Sequence, residues 1–449
     1  MKRLLPFLVL ISLTVPSQAP AAGSLEFEFG QGGKTITPVS LGSQWTKASV
    51  RMAEAPDGGI VLGGAATVVR HLPTGALDPA FGHGGVLTID LAGVASFEIA
   101  DVAVDSAERI VVFGTATSVA PGGRVSTKPA VLRYLRDGEP DRGFGGGDGL
   151  VMEGFGRGVA RGASLGTVDA EDRVILVAGS RRPVDCGVAG GAVGNLVRLN
   201  VDGALDRSFG ERGLRSVAPL RSVKALSLDG DGGVVLAGSL PRDCSRGPEL
   251  AVLRLRADGS RKRGFGSAGV RKLDGSVAAI ALDRRDRVTV LCKEKQSPRR
   301  RNKHFSKLVR LLPNGDLDPS FSEGGWIVYI SEGPLYKWSS LLVDPHTGRL
   351  LAIGTLIRPL PEHKQRDGLR FHRWFMTMPI PERGGNPGGF EGDGWISYTR
   401  FNQRSDAAAG DALIDREGEL LIGGTSRDPN LAPRGGFALA RFELWLAGY

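Results

Sequence analysis

The chain is poor in the side chains that most often do chemistry. It has six histidines and three cysteines among 449 residues. The histidines, His71, His83, His304, His346, His363 and His372, never fall at an H-E-x-x-H or comparable ligand spacing. No G-x-S-x-G elbow occurs, and no Ser/His/Asp set can be identified. The Gly-rich stretch Gly143–Gly149 lacks the Lys and the Ser or Thr of a phosphate loop. The stretch Leu228–Gly233 opens like a calcium loop, but no bidentate Glu follows at the twelfth position. No cofactor or metal site is therefore expected. An odd cysteine count leaves at least one thiol over. Beyond the N-terminus no segment is apolar enough to span a membrane.

The N-terminus itself is distinctive. Lys2 and Arg3 precede an apolar run from Leu4 to Val15, and Ala19, Ala21 and Ala22 offer a small-residue cleavage site. Residues 1–22 are thus expected to be a secretory signal peptide. The mature chain, residues 24–449, is expected to be exported, either secreted or periplasmic.

What the chain has in excess is glycine, 66 residues with no collagen period. Scattered short Gly clusters imply many tight turns, hence many short strands. The turns belong to a repeat. A phrase beginning with Phe recurs seven times, at Phe29, Phe81, Phe144, Phe209, Phe265, Phe321 and Phe390, spaced 52 to 69 residues apart. After each phrase come a short apolar stretch, an alternating strand closed by an acid, a turn and a second apolar strand. Val102–Gly114 and Leu226–Gly238 are examples. A variable loop follows, then a strand with Arg at alternate positions. Period-two Val, Leu and Ile patterns joined by DG, NG and GG pairs read as hairpins. Each unit is then a sheet of about four antiparallel strands. Such a sheet cannot bury both faces alone, so seven must stack around an axis as an all-β, seven-bladed propeller. Seven units are present with no visible cap, so a closed ring is expected.

The F-G-x-x-G, V-D-x-x-G-R-x-x-V-x-G and R-L-x-x-D-G-x-L-D phrases resemble the delta-60 repeat family, with a layout similar to the NHL repeat. The resemblance covers Ser24 to Trp445 and implies an exported propeller. It implies no particular activity.

A residue found at the same place in every unit serves the unit, so chemistry must be sought in departures from the repeat. The acids Glu54, Asp105, Asp169, Asp229, Asp283, Asp344 and Asp415 recur and are expected to cap their own turns. Asp78, Asp206 and Asp318 of the LD turns fall the same way. Trp326, Trp338, Trp374 and Trp395 crowd the last two units. Sugar stacking is one reading, but packing between blades is the expected one. The clearest departure is charge. Arg254–Arg310 carries 18 Lys and Arg against 5 Asp and Glu, a net +13 in a chain of +9. Within it Arg261-Lys262-Arg263 replaces the LD turn, and a variable loop holds Arg299, Arg300, Arg301 and Lys303. These four are the candidate patch for an anionic partner.

The expected function is a binding module using the face that carries the long loops. Its partner would be a protein or an anionic cell-surface polymer, and the chain itself a monomer. Nucleic acid fits poorly, since the basic stretch holds one aromatic, Phe305. The alternative is an extracellular enzyme acting on glycans or another surface polymer. An enzyme would show acids or His at the channel mouth that break the sevenfold pattern. Finally, Cys186 and Cys244 follow the same strand of adjacent units and are expected to pair. Cys292, at a strand-terminal Gly position, is expected to be buried.

Overall fold

The computed structural model describes residues 24–39, 50–156, 162–179, 194–241, 248–293, 303–322, 324–332, 335–360, 371–380, 382–383, 397–399, 401, 406–427 and 435–444. These residues form seven antiparallel sheets and no helix. Blade 1 is typical, with strands Arg51–Glu54, Ile60–Gly64, Thr67–His71 and Val86–Thr88 in that order. The first strands of blades 2 to 7 are Ser96–Val104, Ala163–Val168, Ser222–Leu228, Ser276–Leu282, Leu335–Val343 and Asp406–Ile414. Each first strand touches those of its two neighbours, and blade 7 touches blade 1. The circle is therefore closed, with the first strands innermost.

The closure uses the N-terminal segment. Blade 7 takes its outermost strand from Lys34–Pro38, which pairs with Gly436–Glu443 in the register Lys34↔Ala440 to Pro38↔Gly436. Ser24–Leu25 extends the same edge. Chain start and chain end thus share one sheet, which ties the ring without a cap.

The Phe phrase explains why the blades stay in register with one another. Phe29, Phe81, Phe144, Phe209, Phe265 and Phe321 are all fully or almost fully buried. The residue after each Phe donates its N–H to a turn carbonyl of the next blade. Examples are Gly82 to Asp137, Gly145 to Asp202 and Gly266 to Asn314, at 2.7 to 3.0 Å. The turn glycine beside that carbonyl lies against the ring. At Gly315, φ is +85°, and a Cβ would fall 2.6 Å from the Gly266 nitrogen, so no other residue fits there. Strand arginines complete the clasp. Arg133, Arg198 and Arg310 lie 4.5 to 4.6 Å from the Phe144, Phe209 and Phe321 ring centroids. They pair with Asp141, Asp206 and Asp318 at 2.7 Å.

The recurring acids cap turns as expected. Asp105 accepts from the Ala107 and Arg109 backbone N–H groups, and Asp169, Asp229, Asp283, Asp344 and Asp415 do the same in their blades. Glu54 is the exception. The turn position equivalent to Asp105 is Ala55, whose N–H reaches the Gly59 carbonyl. Glu54 instead accepts from Arg416 of blade 7 at 3.0 Å, and Asp57 caps the blade 1 turn. Cys292 is fully buried against the blade 4–5 core. Cys186 and Cys244, and residues 1–22, lie outside the described residues.

Candidate functional site

Two places break the sevenfold pattern. The first is at the axis. Six of the first strands carry a β-bulge midway. Strand register then makes one inner position equivalent in all blades: Arg51, Asp101, Leu165, Ala225, Ala279, Ser340 and Asp411. Blades 3 to 5 place apolar residues there, and blades 6, 7, 1 and 2 place polar ones. Ser340 donates its hydroxyl to Asp411 at 2.9 Å, and Asp411 accepts from the Met52 and Ala412 N–H groups. Arg51 Nε donates to the Ala100 carbonyl at 3.3 Å and lies 4.0 Å from Asp101. Asp101 accepts from Val102 and from Gly166 of blade 3. Burial, with some help from Asp411, pushes the Asp101 carboxyl up to about 6, although Arg51 and the two N–H groups oppose it. Burial weakens the Arg51 charge, but Asp101 and Asp411 outweigh it and hold its pKa above the ordinary value.

This chain of bonds runs across the seam where blade 7 meets blade 1. Every carboxylate oxygen in it already accepts from the protein's own donors. It latches inner strand edges of neighbouring blades together. Sequence patterning missed it because the pattern appears only when the first strands are aligned on their turns. The seven residues then stand four positions before the turn-capping site in every blade.

The second departure is at the rim between blades 4 and 5. In blades 1, 3 and 5 the LD leucines, Leu77, Leu205 and Leu317, pack beside the last glycine of the Phe phrase. Blade 4 has Arg261 at that place, bridged to Leu255 as Leu77 is to His71. A guanidinium cannot fill an apolar seat, and Arg261 turns instead to the Ala218 carbonyl, 2.5 Å away. Burial and then the neighbouring Arg215 push its pKa down. Lys262 replaces the LD aspartate, so Arg254 takes Asp229 and Asp286 as partners, at 2.9 and 2.5 Å.

Where the leucine is missing, an open groove of about 1120 Å³ appears, lined by Arg261, Arg271, Lys272, Asn314 and Asp316 among others. A second hollow of about 290 Å³ adjoins it and shares Arg271 and Lys272. Lys307, Glu249, Asp274 and Trp326 line that part. The two run along the outer strand of blade 4, Val270–Asp274, from the Phe-phrase turn to the Glu249↔Asp274 pair at the root of the loop that follows residue 241. Arg271 is poorly committed. Its nearest carboxylate, Asp316, is 3.9 Å away, and its Nε is buried with no acceptor among the described residues. Trp326 is 44% exposed, with the Lys307 ammonium 4.9 Å from its ring centroid.

This corrects the packing expectation for Trp326. Trp338 and Trp374 are buried in the blade 5–6 core as expected, and Trp395 lies outside the described residues. Arg299, Arg300 and Arg301 also lie outside the described residues. Lys303 begins the blade 5 strand Lys303–Leu311, opposite Glu332. At the other root of that loop, desolvation and then the Lys337 and Lys224 charges push the Lys293 ammonium down, so cations from blades 4, 5 and 6 gather there. Among the described residues no group of three or more His, Cys, Asp or Glu could hold a metal ion, and no helix is long and apolar enough to cross a membrane.

A family model described as "Domain of unknown function (DUF5122) beta-propeller" matches residues 171–209 and 305–321. Both matches end on a Phe of the repeated phrase. No curated protein sequence matches the chain. Among solved structures, one similar chain is a protein of unknown function from Dyadobacter fermentans, 11% identical, with a TM-score of 0.40 over 92% of this chain and 98% of that one. Another is Drosophila semaphorin 1b extracellular domains 1-2, 7% identical, TM-score 0.40, over 95% and 88%. The soluble aldose sugar dehydrogenase of Escherichia coli is 12% identical, TM-score 0.38, over 71% and 95%.

Proposed function

We propose that this β-propeller is an exported binding module, built from delta-60-type repeats, for an anionic cell-surface polymer or an acidic protein. The observation that carries the reading is the partition of charge. Arg254–Arg310 is +13 while the rest of the chain sums to −4. Four of its cations, Arg261, Arg271, Lys272 and Lys307, line the two hollows found where the repeat is broken. Export rests on the character of residues 1–22. Arg299, Arg300, Arg301 and Lys303 add to the charge of the same stretch of sequence and would steer an anionic partner toward this protein. The axial acids bond to neighbouring blades, which supports a structural role for them in latching the ring.

The test is retention of the protein, freed of residues 1–22, on the envelope fraction of its own cells. Retention is expected to fall steeply with salt, since exposed charges are screened over about 8–10 Å at physiological ionic strength. Replacing Arg299, Arg300, Arg301 and Lys303 with Ser is expected to weaken it further. Retention that ignores both salt and the four substitutions would show that the basic loop is a solvated surface only.

A further inference from the structure

From the groove between blades 4 and 5 we infer that the ligand is an acidic polysaccharide, a chain of carboxylate-bearing sugars stacked on Trp326 and held by Arg271 and Lys272. The inference rests on the anionic-partner reading above and narrows it to one chemical class and one site.

Three features select that class. The first is the weakly paired guanidinium of Arg271. Its carboxylate partner among the described residues is Asp316, 3.9 Å from Nη1, and the side chain is partly exposed, so the outer edge of this planar fork is suited to a ligand carboxylate. By contrast, Arg198 and Arg310 spend their Nε on Asp206 and Asp318.

The second is the mixture of signs. Glu249, Asp274 and Asp316 line the same groove as Arg261, Arg271, Lys272 and Lys307. Three carboxylates repel polyphosphate and an acidic polysaccharide alike, but only the sugar chain carries hydroxyls that gain from them. Sugar hydroxyls are donors and need acceptors, which the carboxylates of Glu249, Asp274 and Asp316 supply. Alternating cations and acceptors along one groove match a polymer that carries one charge and several hydroxyls per unit.

The third is Trp326. An aromatic left 44% exposed at the rim offers a flat apolar face to the C–H side of a sugar ring. Lys307 over the same ring keeps a positive charge beside the stacked unit. Two adjoining hollows that share Arg271 and Lys272 seat consecutive units of a chain better than a single small molecule.

The experiment titrates the protein lacking residues 1–22 with polygalacturonate and, separately, with inorganic polyphosphate, read by calorimetry and Trp fluorescence. Polygalacturonate is expected to bind more tightly than polyphosphate of equal charge. Trp326→Ala is expected to weaken polygalacturonate binding about tenfold, with Trp326→Phe recovering most of it. Arg271→Ser is expected to weaken it by a similar factor. Unchanged thermal midpoints show that the variants remain folded. Equal binding of both polymers, or indifference to Trp326→Ala, would overturn the sugar assignment. If envelope retention stays salt-sensitive while polygalacturonate is not bound, the inference fails and the broader reading stands. If retention is salt-insensitive, the broader reading fails first.

Discussion

Two buried titratable side chains at the closure seam pull stability in opposite directions with pH. Asp101 is held up to about 6, against about 3.9 in an unfolded chain. Between about pH 4 and 6 the folded state therefore binds more protons at this site, and its contribution to stability declines as pH rises through that window. His71 does the reverse. It is buried between blade 1 and the N-terminal strand, 2.8 Å from Thr37 Oγ1, and burial pushes its pKa down to about 4. The unfolded state then binds the extra proton, so stability from His71 grows as pH rises from about 4 to 6.5. The parent protein shows the sum of these and a second falling contribution from Asp406, whose carboxyl is also pushed up to about 6 by burial. Relative to the parent, Asp101→Asn is expected to tilt the trend between about pH 4 and 6 upward, and His71→Gln to tilt it downward. Thermal midpoints at pH 4, 5, 6 and 7 check this, and three parallel curves would contradict it.

At the scale of the element, the Phe phrase is what makes a hairpin pair into a blade that holds its neighbour. Phe209 is fully buried, lies 3.0 Å from where a Cβ on Gly259 would sit, and carries Arg198 over its face. Phe209→Ala is expected to cost about 3–5 kcal/mol. Phe27→Ala, at a residue 82% exposed, is expected to change stability by less than about 0.5 kcal/mol. Denaturant unfolding of both variants is the check, and equal costs would mean that the clasp does not hold the blades. Much of this level was legible in the sequence, because it repeats. The turn acids, the Phe phrases and the buried place of Cys292 all follow from reading seven units against one another. Glu54 was misaligned by one residue because blade 1 has Ala55 where the others have Asp. The axial set Arg51, Asp101, Ser340 and Asp411 stayed hidden because a bulge shifts the strand alternation, so its members match only in register. At the groove, Arg261 was visible as a departure and Trp326 as a repeated position. That they line two adjoining hollows depends on the spacing of neighbouring sheets, which no local pattern encodes.

At the scale of the molecule, sevenfold repetition supplies a closed ring, and the proposed binding surface lies at one of its exceptions. The ring is closed by Lys34–Pro38 on the last blade and latched from blade 6 round to blade 3 by polar side chains at the axis. That scaffold fixes two outer strands far enough apart to leave a groove, and the basic stretch of blades 4 and 5 gives the groove its charge. The claim that electrostatics of this surface governs binding is tested most directly by a salt series. The affinity for polygalacturonate is measured from low to physiological ionic strength for the parent protein and for the Arg261→Ser, Arg271→Ser, Lys272→Ser triple variant. The account predicts a steep fall in affinity with salt for the parent and a clearly shallower one for the variant. Equal slopes, or binding that does not respond to salt, would contradict it.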